Sequence, residues 1–264
     1  MKVGICGCGF VGNAIQQFLV NLKDIELHVY DKYKQINSFE YVLDSKLLFI
    51  CLPTSYNEEF KSYDMTEINN TLSQLSLNNY SGLILLKSTV LPAYCSGINN
   101  LYSNLTIIHN PEFLSASTAI ADFSTQKHII LGHTKQSISC VSVAELFYKN
   151  LFPSAVISIC TSAEAALTKL ACNSFYSTKI QYFTEIYLLC ERMNVSFDTV
   201  KNLMLQNGWI NPNHTSIPGH DHQISFGGAC FPKDTNALAQ YMIANDIPSE
   251  VLMAVINERN KMRT

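Results

Sequence analysis

Short apolar runs punctuate the first 160 residues of the chain. Lys2–Cys6, Leu27–Tyr30, Leu47–Leu52, Leu83–Lys87, Leu105–His109 and His128–Leu131 each hold several consecutive apolar positions bounded by polar or turn-forming residues. Runs of that length and continuity fit strands buried on both faces. Stretches between them repeat their apolar residues at three and four, as in Phe10–Leu22 with Val11, Ile15, Phe18 and Leu19. Strands alternating with helices predict a parallel sheet with crossover helices. Val156–Cys160 is placed as the strand that closes it.

Past residue 160 the period changes. Thr161–Arg192 lacks Gly and Pro and opens with Thr161-Ser162-Ala163-Glu164, a capping-box pattern. Its apolar residues recur at helical spacing, so one long helix is expected. Phe197–Gln206 reads as a shorter helix with Ser196 as its cap. Gly208–Gly228 is rich in Gly, Pro, Asn and His and reads as loop. A last helix is expected from near Thr235, with a break at Pro248. The chain shows no internal repeat. The expected organisation is an α/β domain with a doubly wound parallel sheet over residues 1–160. A mainly helical second domain follows over 161–264.

Composition narrows the classes of function. The 264 residues are 47% apolar, enough to bury a sizeable core. The formal net charge is −3 with no basic run, so nothing argues for nucleic acid as a partner. No stretch approaches the ~20 uninterrupted apolar residues of a membrane helix. The N-terminus reads as a strand entering a glycine turn, not as a secretion signal. A soluble cytoplasmic protein is expected. The nine cysteines are scattered and odd in number, which argues against a disulfide framework. Cys6 and Cys8 lack a second pair or nearby histidines, so no metal is expected. Most of the cysteines read as small buried apolar groups.

Gly7-Cys8-Gly9-Phe10-Val11-Gly12 fits the G-x-G-x-x-G pattern between a strand and a helix. Gly7 allows the tight turn, Gly9 lets backbone approach a pyrophosphate, and Gly12 lets helix pack on strand. Phe10 and Val11 open the helix, whose free N–H groups favour an anion. Asp31 ends the next strand roughly 20 residues on, where a carboxylate meets ribose hydroxyls. It would repel a 2′-phosphate, which favours NAD over NADP and makes the first domain Rossmann-type. The plainer reading is a tight turn with Asp31 capping the strand.

Gly227-Gly228-Ala229-Cys230-Phe231-Pro232-Lys233-Asp234 places a thiol, a cation and a carboxylate within five residues. A cysteine beside Lys233 at the start of a helix is expected to have more thiolate, which suits a nucleophile that attacks an aldehyde. A structural cysteine is the alternative. Lys169 and Asn173 share one face of the long helix; a solvated stripe is the alternative. Ser88 and Thr89 end one strand, and Glu112 follows another in Asn110-Pro111-Glu112-Phe113-Leu114. The carboxyl ends of parallel strands line the ligand crevice. A helix cap or a surface turn would account for the same residues.

Together these segments resemble the UDP-glucose and GDP-mannose dehydrogenase family. The resemblance includes GCGFVG, Asp31, LPTSYN at Leu52–Asn57, KST at Lys87–Thr89, NPEFL at Asn110–Leu114, EAALTKLACN at Glu164–Asn173 and FGGACFPKD at Phe226–Asp234. It implies oxidation of a sugar C6 alcohol to the carboxylate with NAD, in the supply of sugars for polysaccharides. Cys230 would carry a thiohemiacetal and then a thioester. Lys169 and Asn173 would stabilise the oxyanions, Asp234 would orient water, and Glu112 and Thr89 would assist proton transfer. Pro53, Thr54, Ser88 and Lys233 would touch NAD. Phe113, Leu114, Phe226 and Gly227 would border the substrate. UDP-glucose is the leading substrate, and a homodimer is expected.

Two departures stand out. Ala116 occupies a position where the family usually carries a second glutamate. The chain ends at Thr264, where typical members continue into a further α/β domain; a short form is expected. His222 and Gln223 stand where glycine and lysine are common. Leu252, Val255 and Ile256 on the last helix could form a dimer face or core. Two rivals remain: a β-hydroxyacid dehydrogenase, which shares the Lys-x-x-x-Asn pair and needs no cysteine, and a degenerate protein that binds NAD or a nucleotide sugar without catalysis.

Overall fold

A computed structural model describes residues 1–263; Thr264, the last residue of the expected second domain, lies outside the described residues. The chain divides into two compact units. One comprises Met1–Ser55 with Tyr63–Lys169, the other Tyr56–Ser62 with the residues from Leu170 onward.

The first unit is built on strands β1 (Lys2–Cys6), β2 (Glu26–Tyr30) and β3 (Leu47–Ile50), with helix α1 (Phe10–Leu19) after β1. Two-residue strands β4 (Tyr56–Asn57) and β5 (Ser62–Tyr63), all but Tyr63 belonging to the second unit, precede α2 (Thr66–Leu77). Strand β6 (Leu83–Leu86), α3 (Pro92–Leu101), β7 (Thr106–His109), α4 (Ala119–Ser124), β8 (His128–His133), α5 (Val141–Leu151) and β9 (Val156–Thr161) complete it. The seven-stranded sheet has the order β2-β1-β3-β6-β7-β8-β9. The chain steps one way from β1 to β2 and the other way to β3. That reversal opens a crevice at the strands' carboxyl ends.

Strands β1, β3, β6 and β7 are buried on both faces, as their apolar runs require, whereas the edge strand β9 stays partly exposed. Leu47 and Phe49 join a cluster with α1 and α5 residues such as Ile15, Leu19, Phe147 and Tyr148. Leu48 and Ile50 face the other way, onto Leu72 and Leu75 of α2 and Ile98 of α3. The sheet is parallel as expected at every pairing but one. Strand β8 runs antiparallel to β7, and β9 follows β8 in parallel. Six-residue α4 packs on α1. It does not carry the chain back across the sheet, so β8 enters from the end at which β7 left.

Helix α6 (Ser162–Met193) begins in the first unit and continues into the second. Its capping box forms as expected. Glu164 accepts from the Thr161 backbone N–H at 2.7 Å, and the Thr161 hydroxyl accepts from Glu164 N–H at 3.3 Å. The second unit adds α7 (Phe197–Gln206), α8 (Phe231–Ala244) and α9 (Glu250–Met262). Ser196 caps α7 through the Thr199 N–H at 3.2 Å. Phe183, Cys190, Phe197 and Ile217 form this unit's core cluster.

Helix α8 starts at Phe231 rather than near Thr235, because Pro232 sits in the first turn, where its missing N–H has no partner to lose. The break before α9 falls at Pro248 as expected. Val255 and Ile256 of α9 are buried, so core packing accounts for that face. No helix among the described residues is long and apolar enough to cross a membrane.

Candidate functional site

The glycine turn does what its spacing requires. Gly7 has φ +91°, a region that strongly favours glycine. A Cβ on Gly12 would lie 1.8 Å from the Gly7 carbonyl oxygen, so α1 can sit against β1 only with glycine there. A Cβ on Gly9 would meet nothing within 4 Å. The protein's own packing therefore does not require that glycine; it keeps open the space in front of the α1 N-terminus. Phe10 is exposed at that end and Val11 half-buried. This mouth, with its free N–H groups, fits a pyrophosphate.

Asp31 is buried, and its carboxylate is tied to backbone. Cys8 N–H donates to Oδ2 at 2.7 Å; Tyr33 and Lys34 N–H donate to Oδ1 at 3.0 and 2.8 Å. Burial works to raise its pKa, but these three bonds outweigh it and hold the carboxyl below the ordinary range. The Lys34 ammonium donates to the Cys8 carbonyl at 2.5 Å. Asp31 thus shapes the glycine turn from the position expected of a ribose-binding acid.

At the ends of β3 and β6, hydroxyls stitch the loops together. The Ser88 hydroxyl donates to the Leu52 carbonyl at 2.7 Å and accepts from Leu52 N–H at 3.0 Å. The Thr54 hydroxyl donates to the Thr89 carbonyl at 2.8 Å. Thr54 and Ser88 are buried, Thr89 half-buried and Pro53 exposed.

Beyond β7, Glu112 joins Lys169 across 57 positions of sequence. Lys169 Nζ donates to Glu112 Oε1 at 3.2 Å, and Leu114 N–H donates to Oε2 at 2.6 Å. Lys169 also lies 5.2 Å from the Phe113 ring centroid. Leu114 packs on the core, whereas Phe113 remains exposed. Lys169 is 3% exposed, which overturns the solvated-stripe alternative. Lys87, for which no role was expected, is also buried. Lys87 Nζ donates to Asn110 Oδ1 at 3.2 Å, and the Tyr148 hydroxyl donates to the same oxygen. Burial pushes the Lys87 amine down to about 8. A lysine closing an otherwise apolar strand was the available signal. Ala116 sits apart, lining a shallow cavity with Phe10, Asn13 and the first residues of α4.

In the second unit, Asn173 is 4% exposed and its amide donates to Asp234 Oδ2 at 2.6 Å. Lys233 Nζ lies 2.6 Å from Asp234 Oδ1, and Asp234 is wholly buried. Cys230 is exposed at the N-cap of α8. The Phe226 ring is buried with the Arg259 guanidinium 6.0 Å from its centroid. Arg263 lies across Gly227 and binds Asp221 at 2.6 Å and the Ile224 carbonyl at 2.7 Å. His222 and Gln223 lie in the loop it clamps. No cluster of potential metal ligands occurs among the described residues.

Residues 25–152 match the NAD-binding domain of the UDP-glucose/GDP-mannose dehydrogenase family, and residues 163–261 match its central domain. The UDP-glucose 6-dehydrogenase of Campylobacter jejuni is 27% identical over this whole chain and 72% of its own. That of Rickettsia bellii is 32% identical over 76% of this chain and 46% of its own. A solved UDP-glucose dehydrogenase from Pyrobaculum islandicum shares the fold. Its TM-score is 0.85 at 21% identity, covering 98% of this chain and 68% of that one.

Proposed function

The chain belongs to the UDP-glucose/GDP-mannose dehydrogenase family of NAD-dependent oxidoreductases, and from that premise we propose that it oxidises UDP-glucose to UDP-glucuronate through Cys230. The reading is carried by one observation: two buried polar side chains one turn apart on α6, Lys169 and Asn173, are each met by a carboxylate from a distant segment, Glu112 and Asp234. NAD, when bound, supplies the hydride acceptor for both oxidations. Gly7, Gly9, Phe10, Val11, Gly12 and Asp31 would hold it in the first unit, with Pro53, Thr54 and Ser88 at the strand ends and Lys233 contributing. Glu112 and Thr89 would take the hydroxyl proton through water. The Cys230 thiolate would add to the aldehyde carbon, and Lys169 and Asn173 would stabilise the resulting oxyanion. Loss of a hydride from that adduct to a second NAD would give the thioester, which water oriented by Asp234 would cleave, releasing the acid and the thiol. Phe113, Leu114, Phe226 and Gly227 would border the sugar.

The proposed protein is a cytoplasmic homodimer. Phe175, Tyr182, Leu189 and Met193 are exposed along one stripe of α6. Such a stripe suits pairing with a second copy across a twofold axis, where the same patch serves both subunits. The test is incubation with NAD and UDP-glucose, following NADH absorbance. Two NADH per sugar are expected; no NADH with any nucleotide sugar would reject the catalytic reading in favour of a binding protein.

A further inference from the structure

The segment before α8 is irregular backbone held by side chains from two helices. Ser225 is buried and lies in the left-handed region at φ +63°, which a serine does not favour. Its N–H donates to Thr184 Oγ1 at 3.0 Å and its hydroxyl to Gln181 Oε1 at 2.6 Å, both on α6. Two arginines four residues apart reach the segment from α9 and its C-cap. Arg259 Nε donates to the Phe226 carbonyl at 3.3 Å. Arg263 has a side chain only 9% exposed. Its Nε donates to the Ile224 carbonyl at 2.7 Å, and its Nη2 to the Ser225 carbonyl at 2.8 Å. The same fork grips the Asp221 carboxylate, at 2.6 Å from Nη1 and 3.2 Å from Nη2. One planar group therefore ties together residues 221, 224 and 225, a geometry that a lysine ammonium cannot reproduce.

Gly227 shows what this seat demands of the chain. A Cβ there would stand 2.0 Å from Arg263 Nη1 and 2.8 Å from its Cζ. The end of a free side chain could swing aside, but this guanidinium is bonded through all three nitrogens. Gly228 differs: its φ is +76°, and a Cβ there would meet nothing within 4 Å. The first glycine of the pair makes room for protein, and the second faces open space. Resting on the reading that residues 226–230 carry the sugar and the thiol, we propose that Arg263 is a positioning residue. Its guanidinium, seated against Gly227, fixes the backbone that leads to Cys230, and residue 227 is glycine to admit that guanidinium rather than the sugar. The fit of the nucleotide sugar then depends on Arg263, whereas NAD, held mainly by the first unit, does not.

A double-mutant cycle of Gly227→Ala and Arg263→Ala in the full chain tests this. Each single change lowers the thermal midpoint and raises KM for UDP-glucose about tenfold or more, while KM for NAD stays within about twofold. Once Arg263→Ala has removed the guanidinium, the methyl at 227 has room. Gly227→Ala then raises KM by less than about twofold and lowers the midpoint no further. Arg263→Lys keeps the charge, loses the fork and does not restore KM; it replaces Arg263→Ala in the cycle if that protein does not fold, since its flexible stem can turn from residue 227. Effects on KM that multiply in the double variant overturn the proposal, because the methyl would then be meeting the sugar. Unchanged KM for UDP-glucose in Arg263→Lys overturns it as well. If the unaltered protein oxidises no nucleotide sugar, the functional reading fails. The cycle in thermal midpoints, with amide hydrogen exchange across residues 221–230, still decides whether Arg263 fixes this segment and is the reason for glycine at 227.

Discussion

Adding one methyl group at Gly12 or at Gly9 should produce opposite phenotypes. In Gly12→Ala the new carbon would stand 1.8 Å from the Gly7 carbonyl oxygen and 2.9 Å from its carbon. An ordinary carbon–oxygen contact is about 3.3 Å, so α1 and the turn must part by roughly 1.5 Å. Both partners are backbone, and no rotamer change relieves the clash. Overpacking of this kind costs about 1–3 kcal/mol. For a chain of this length that is a fall in thermal midpoint of about 3–10 °C. Gly9→Ala meets nothing within 4 Å, and φ −68° with ψ −157° is extended backbone open to alanine. Its stability should equal or exceed the parent's by up to about 1 kcal/mol, through the less flexible unfolded chain. The methyl would instead occupy the space left for the pyrophosphate. NAD affinity should fall tenfold or more, about 1.4 kcal/mol. Differential scanning calorimetry and titration calorimetry with NAD measure the two effects. A Gly9→Ala protein that binds NAD as tightly as the parent would refute the assignment of this mouth; an unshifted midpoint in Gly12→Ala would refute the packing argument.

Other substitutions probe separate links. The Asp31 carboxyl is held below its ordinary pKa, so its stabilisation is complete above the unfolded value near ~4 and is lost as pH falls through the folded value. Asp31→Asn should lower the midpoint at pH 7, and the gap to the parent should close below about pH 4 in a melting series. Cys230→Ala should abolish formation of the acid while aldehyde-level oxidation persists, read as NADH per sugar and by mass of the product; full conversion to the acid would remove Cys230 from the covalent chemistry. Tyr182→Glu, placed on the exposed α6 stripe, should halve the mass measured by light scattering without changing the melting of the monomer; an unchanged mass would remove that stripe from the dimer interface.

Much of the fold was legible because its rules are local. Strand β1 and helix α7 fall on their expected spans, since a buried strand and a Ser-capped helix declare themselves within a few residues. The Thr161–Glu164 box likewise depends on neighbours. Helix α8 starts earlier than expected because a helix's first turn tolerates a proline such as Pro232, whose missing N–H has no partner there. The direction of β8 was not legible, since it depends on where α4 packs rather than on the pattern of β8 itself. On the site, the sequence named Lys169, Asn173, Glu112 and Asp234, but the alternative of a solvated stripe fell only when both α6 residues proved buried.

Periodicity, turn chemistry and the spacing of Gly7, Gly9, Gly12 and Asp31 were enough to specify the α/β architecture and its glycine turn, because each concerns residues near one another along the chain. Which carboxylate meets which cation, that Asp31 clasps the turn with three backbone N–H groups, and that Lys87 lies buried against Asn110 were decided by tertiary structure. Those facts depend on contacts between segments tens of residues apart, and on the withdrawal of charged groups from water, which no local pattern encodes.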